Sequence, residues 1–134
     1  MATKMIKFCA VLLLTLHSSA YANLEQSVPH VPYTPVQYLK NFALSVCLSY
    51  GLEAKEAKAE ANDASGGYLE LGSFSFEAHE EAAALARAFI AKPYQSKHGG
   101  KLTVMKCIDL FHSKELDQLA QKYQRQRNAQ LKKK

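Results

Sequence analysis

No stretch of this 134-residue sequence stays apolar over the ~20 residues that a membrane-spanning helix requires; the apolar run Phe8 to Leu16 covers only nine. No basic stripe interleaved with aromatic residues is present, so the pattern of a nucleic-acid binder is missing. The metal and phosphate motifs are incomplete. "HEEAA" at 79–83 begins like the zinc motif H-E-x-x-H, but Ala83 stands at the second ligand position. "GKLT" at 100–103 has Gln95 where a phosphate loop needs its first glycine, and it does not continue as G-K-[ST]. Cysteine is scarce, with Cys9, Cys47 and Cys107 the only three. These absences remove a spanning protein, a zinc hydrolase and a P-loop enzyme, and they lead to the expectation of no metal and no cofactor.

What is present begins with an export pattern. Lys4 and Lys7 precede the apolar run, and "HSSAYA" follows it, ending in the small-x-small sequence Ala20-Tyr21-Ala22. Residues 1–22 are therefore expected to be a removable signal peptide, with the mature protein of 112 residues soluble in the periplasm and not bound to membrane or nucleic acid. A chain of that length makes one domain. Without Lys4 and Lys7 it keeps 15 basic and 12 acidic residues. Five of the basic ones, Arg125, Arg127, Lys132, Lys133 and Lys134, fall in the last ten positions, so the rest carries a net charge of −2. This divides the mature chain into a helical domain, 23–124, and a basic flexible tail, 125–134.

"VMKCIDLFHSKELD" (104–117) places Cys107, His112 and Asp117 close together in sequence, the residue types of a nucleophile, base and orienter. Two arguments make the trio structural. Once Cys9 leaves with the signal, Cys47 and Cys107 are the pair left in an oxidising compartment, where a disulfide is the usual fate. It would close a 60-residue loop, for which the chain-entropy model gives roughly 4 kcal/mol of stabilisation. Residues 102–112 also read as a helix, on which Cys107 and His112, five apart, point about 140° away from each other. The chain is therefore not expected to be an enzyme.

The remaining pattern is helical. Residues 23–34 form an extended lead-in with two prolines. Thr34 caps a first helix, Pro35 opens it and Gly51 ends it, with Leu39, Phe42, Ala43, Val46 and Tyr50 on its core side. Residues 53–64 predict a short exposed helix stopped by Ser65-Gly66-Gly67. "YLELGSFSF" (68–76) has no partner strand and reads as a connector burying Tyr68, Leu69, Phe74 and Phe76. Ser75 caps a helix from Glu77 to Ala91, whose acidic first turns suit the helix dipole. A helix over 102–112 sets Leu102, Met105, Ile108 and Phe111 along one side. Ser113 caps the last helix, with Leu116, Leu119, Ala120 and Tyr123 at core spacing. The fold class is all-α: a small bundle of four to five helices stapled by one disulfide.

"NFALSVCLSY" (41–50), "GGYLELG" (66–72) and "AKPYQSKHGGKLTVMKCIDLFHSKELDQLA" (91–120) resemble the fourth family of immunity proteins against type VI secretion amidase effectors. The resemblance spans about residues 36–124 and implies a periplasmic, all-helical, disulfide-bearing homodimer. It implies as partner a cognate cysteine amidase that cuts peptidoglycan between D-glutamate and diaminopimelate, in a heterotetramer of two immunity protomers and two effectors. An inhibitor of a cleft enzyme needs a rigid scaffold and a protruding element. Two elements qualify: the loop of Gln95, Ser96, Lys97, His98, Gly99, Gly100 and Lys101, and the start of the 77–91 helix with Glu77, His79, Glu80 and Glu81. The competing readings are a periplasmic binding or chaperone-like module for a small ligand or cell-wall fragment, and a hydrolase using Cys107 as a free thiol.

Overall fold

The computed structural model describes residues 32–133; the expected signal peptide and most of the lead-in lie outside them. Five helices follow in order: α1 Pro35–Gly51, α2 Lys55–Leu71, α3 Phe76–Ala91, α4 Thr103–Phe111 and α5 Lys114–Leu131. There is no strand among the described residues.

α1 is the central helix, packing on all four others. Its start is a capping box: the Thr34 hydroxyl accepts from the Gln37 amide, and the Gln37 side chain accepts from the Thr34 amide at 2.9 Å. Leu39, Ala43 and Cys47 on α1 are completely buried. α3 meets α1 through Ala78, Ala82 and Ala86, all completely buried at i, i+4, i+8 spacing. Small side chains on that stripe let the two helix backbones approach closely, and Phe42, Val46 and Phe89 fill the flanks. α5 closes the core with Leu116, Ala120 and Tyr123; the Ser113 hydroxyl caps it by accepting from the Leu116 amide at 3.1 Å. Cys47 and Cys107 form the expected disulfide, with a Cα–Cα separation of 5.6 Å, tying α4 to the central helix.

The structure corrects several sequence expectations. α2 does not stop at Ser65-Gly66-Gly67 but runs to Leu71. Ser65 is its one buried residue, and its hydroxyl bonds the Asn62 carbonyl within the helix. The glycines cost helix propensity, about 1 kcal/mol each, but the packing of α2 along α1 overrides that local preference. The "connector" therefore contributes its first half to α2. Of the four side chains expected in it, Tyr68 and Phe74 pack against the core, whereas Leu69 and Phe76 are exposed. Tyr50 is exposed too, at the end of α1.

On α4 the middle of the expected apolar side, Met105 and Ile108, is turned outward, while Leu102 and Phe111 at its ends are partly buried. With Cys107 pinned inward by the disulfide, Ile108 points about 100° and Met105 about 160° away from it. Both are half exposed, with Val104 beside them, while Cys107 and Leu110 make the buried face. The basic stretch is not separate from the last helix either, because α5 continues without a break to Leu131.

Candidate functional site

Cys107, His112 and Asp117 are not assembled for catalysis. Cys107 is in the disulfide. His112 is the exposed C-cap residue of α4. Asp117 pairs with the Lys40 ammonium at 2.6 Å, and that ammonium also sits 4.8 Å from the Phe111 ring centre.

The loop between α3 and α4 stands out from the bundle. Gln95, Lys97, His98, Gly99, Gly100 and Lys101 are exposed and Ser96 is half-buried. Ser96 organises the turn, its hydroxyl accepting from the His98 amide at 3.2 Å and the Gly100 amide at 3.1 Å. Gly99 adopts φ +75°, a left-handed conformation that disfavours any side chain. Leu102, also left-handed at φ 53°, turns the chain into α4.

Both ends of the loop are anchored, and of the four residues involved only Lys101 is among the candidates named from the sequence; Tyr94, Asp109 and Glu53 are not. At the start, the Tyr94 hydroxyl donates to Asp109 on α4 at 2.7 Å. That hydrogen bond holds the Tyr94 hydroxyl proton more tightly than usual, pushing its pKa up. At the end, Lys101 pairs with Glu53 in the α1–α2 connection, and this contact draws the Glu53 carboxyl below its ordinary range. Lys106 on α4 donates to the Ile90 carbonyl at 2.8 Å, holding α4 to the end of α3. Beneath the loop, Gly51 lies so close to Thr103 and Ile90 that a Cβ there would collide with both. A groove of about 390 Å³ opens beside the loop, edged by Tyr50, Tyr94, Lys101 and Lys106. Nothing in the spacing of these residues marks them, since the anchors join positions 15 to 48 residues apart.

The other element, the start of α3, is only partly a surface. Glu77, Glu80 and Glu81 are exposed. Ser75, expected as a side-chain cap, makes no such bond; its hydroxyl lies beside Glu77 and lowers that carboxyl's pKa. His79 is buried, its ring 4.9 Å edge-on from Phe42. Its Nδ1 lies 3.0 Å from the Ser75 carbonyl, which only accepts, so Nδ1 carries the proton. Nε2 finds no partner among the described residues. His79 thus belongs to the α1–α3 packing and cannot reach a partner's surface.

Glu81 is engaged in the same way with α5. It accepts from the Lys122 ammonium at 2.8 Å and from the Tyr123 hydroxyl at 2.9 Å. The Lys122 hydrogen bond, followed by that of Tyr123, holds the Glu81 carboxyl below the ordinary value of 4.5. A carboxylate with a lowered folded-state pKa stabilises the fold above the ordinary value, and this contribution is lost as pH falls through the lower one. Glu81→Gln is accordingly expected to cost at most about 1 kcal/mol at neutral pH, because the pair is half exposed. The difference from wild type should shrink as pH falls below 4.5 and vanish only below the lowered folded-state value, as urea unfolding across the acid range will measure.

The structure does not bring the two elements together. The start of α3 and the 95–101 loop lie at opposite ends of a 16-residue helix, which is roughly 24 Å long at 1.5 Å per residue.

A disulfide-stapled helical domain that holds out one anchored glycine-bearing loop is the architecture of a binding protein. The comparisons agree. Residues 37–120 match the sequence profile of the family described as Type VI secretion system (T6SS), amidase immunity protein, Tai4. The chain belongs to that family. Among solved structures, it is similar to a chain in the effector–immunity system Tae4/Tai4 from Salmonella typhimurium, at 32% identity and a TM-score of 0.63. That match covers 66% of this chain and 88% of the other. A chain in the type VI effector–immunity complex Tae4–Tai4 from Enterobacter cloacae shares the fold at 19% identity and a TM-score of 0.62, covering 71% and 98%. A third, from the type VI-secreted toxins and self-resistance proteins of Serratia marcescens, shares it at 23% identity and a TM-score of 0.61, covering 75% and 81%. No curated protein matches in sequence.

Proposed function

We propose that this immunity protein binds a cognate type VI amidase in the periplasm and occludes its active-site cleft, protecting the producing cell from self-intoxication. The partner's chemistry would be that of a cysteine peptidase cutting peptidoglycan between D-glutamate and diaminopimelate. The observation that carries this reading, beyond family membership, is the loop at 95–101: exposed, shaped by Gly99, and anchored at both ends to a stapled bundle. An inhibitor built this way loses little conformational freedom on binding. The test is calorimetric affinity for the amidase encoded beside it, together with survival of cells in which that amidase is directed to the periplasm. Tight binding without protection would place the contact outside the cleft.

The protein itself performs no hydrolysis in this reading, because Cys107 has no free thiol to attack with. A small-ligand module has less support. The lysines beside the groove already have partners: Lys101 with Glu53, and Lys106 with the Ile90 carbonyl.

The same reading includes a homodimer that binds two effectors. The two acidic and loop elements are too far apart on one protomer to enter one narrow cleft, whereas two protomers can offer one element each. The exposed Val104, Met105 and Ile108 on α4 offer an apolar surface for pairing. Ile108→Glu is expected to turn a dimer into a monomer in sedimentation equilibrium with helicity unchanged. A wild-type protein that sediments as a monomer at micromolar concentration contradicts the dimer.

A further inference from the structure

We infer that, against the sequence expectation of no membrane contact, the basic end of α5 is a second interaction surface, fitted to an anionic phospholipid membrane and separate from the loop proposed to bind the amidase. From Gln118 onward the sequence holds six cations, Lys122, Arg125, Arg127, Lys132, Lys133 and Lys134, and no acidic residue. Only Lys122 is engaged in an ion pair among the described residues. Tyr123 is the helix's last buried residue, and from Arg125 to Lys133 every position but Arg127 is exposed. The family match ends at residue 120, before this stretch.

Two simpler roles do not account for it. Cations compensate a helix dipole only within the last turn, which Lys132 at the C-cap does; Arg125 and Arg127 lie well upstream. Packing does not need Arg125, Lys132 or Lys133, which are exposed. The occupant follows from the chemistry of the tip. Leu131 is 57% exposed and is followed directly by Lys132 and Lys133. An apolar side chain set among cations suits a lipid interface, where the leucine enters the acyl boundary and the ammonium groups meet phosphates. A nucleic acid would instead call for aromatic side chains on which bases stack, and residues 124–134 contain none. At 100° per residue Arg125, Lys132 and Lys133 fall within about 100° of one another around the axis, so the contact is made by that side of the helix end.

Each cation near an anionic surface raises partitioning about fivefold. The full chain is expected to co-sediment with vesicles containing phosphatidylglycerol at low salt, to be released at high salt, and to ignore pure phosphatidylcholine vesicles. R125Q/R127Q/K132Q/K133Q is expected to lower partitioning at least ~30-fold. The swap R125K/R127K/K132R/K133R should retain it. Both variants keep residues 1–31, so the difference between them reports on the helix end. Circular dichroism and amidase affinity should be unchanged in both. The inference is overturned if wild type does not bind the anionic vesicles, or if the neutralised variant binds them equally well. It is also overturned if neutralisation weakens amidase binding without changing vesicle binding, which would assign the helix end to the effector.

Discussion

Cys47→Ser is expected to lower the free energy of unfolding by about 2–5 kcal/mol, a large part of the ~5–15 kcal/mol that holds a domain together. The disulfide closes a loop 60 residues long, and it fixes more than chain entropy. α4 is only nine residues long, and its buried contribution is two side chains, Cys107 and Leu110. With so little surface to bury, its rotation about its own axis depends on the bridge. The single variant also leaves an unpaired thiol and a hydroxyl at fully buried positions, which adds a desolvation cost. Cys47→Ala/Cys107→Ala separates the two effects, since it removes the cross-link without stranding a polar group. Urea unfolding followed by circular dichroism, with and without reductant, measures both. A loss below about 1 kcal/mol in the double variant would mean that α4 is held by its packing instead of by the bridge.

The dependence of α4 on the bridge also explains where the sequence was legible. Helices with their own signals were readable: the Thr34 box and Pro35 place α1, and Ser113 with Leu116, Ala120 and Tyr123 places α5. The disulfide was readable from compartment and cysteine count. Rotation was not readable where apolar residues outnumber the places that bury them. Met105, Ile108 and Phe111 make a well-spaced side, but Cys107 decides which side faces in. α2 hid its length for the opposite reason, because two glycines interrupt a helix that is held by α1 from outside. The candidate loop was visible through its glycines, while its anchors, Tyr94 to Asp109 and Lys101 to Glu53, join residues from different helices and connections. His79 looked like part of an acidic surface because its neighbours Glu77, Glu80 and Glu81 are one. The 100° step between helical positions turns it inward against Phe42.

Gly100→Trp is expected to weaken binding to the cognate amidase about 100-fold, which is about 2.8 kcal/mol at 1.4 kcal/mol per tenfold. Loss on that scale is typical of residues at the centre of an interface. A plug that enters a cleft presents backbone to the reacting groups, and an indole at its tip would hold it out. The loop positions differ as test sites. A Cβ on Gly100 meets only the Ser96 hydroxyl, at an ordinary 3.7 Å. A Cβ on Gly99 has open space, but φ +75° strains any side chain placed there by roughly 1–2 kcal/mol. Gly100→Trp should therefore leave the unfolding midpoint nearly unchanged, whereas Gly99→Trp would mix strain with lost contact. Glu80→Lys at the other end of α3 is the counterpart. An exposed pair there contributes at most ~1 kcal/mol, and its loss should appear mainly in the association rate and its salt dependence. Calorimetry and stopped-flow association with the purified amidase, read beside cell protection, distinguish the outcomes. If Glu80→Lys abolishes protection and Gly100→Trp does not, the start of α3 is the element that enters the cleft. If wild type fails to bind the amidase encoded beside it at micromolar concentration, the cleft-plugging reading falls for both elements.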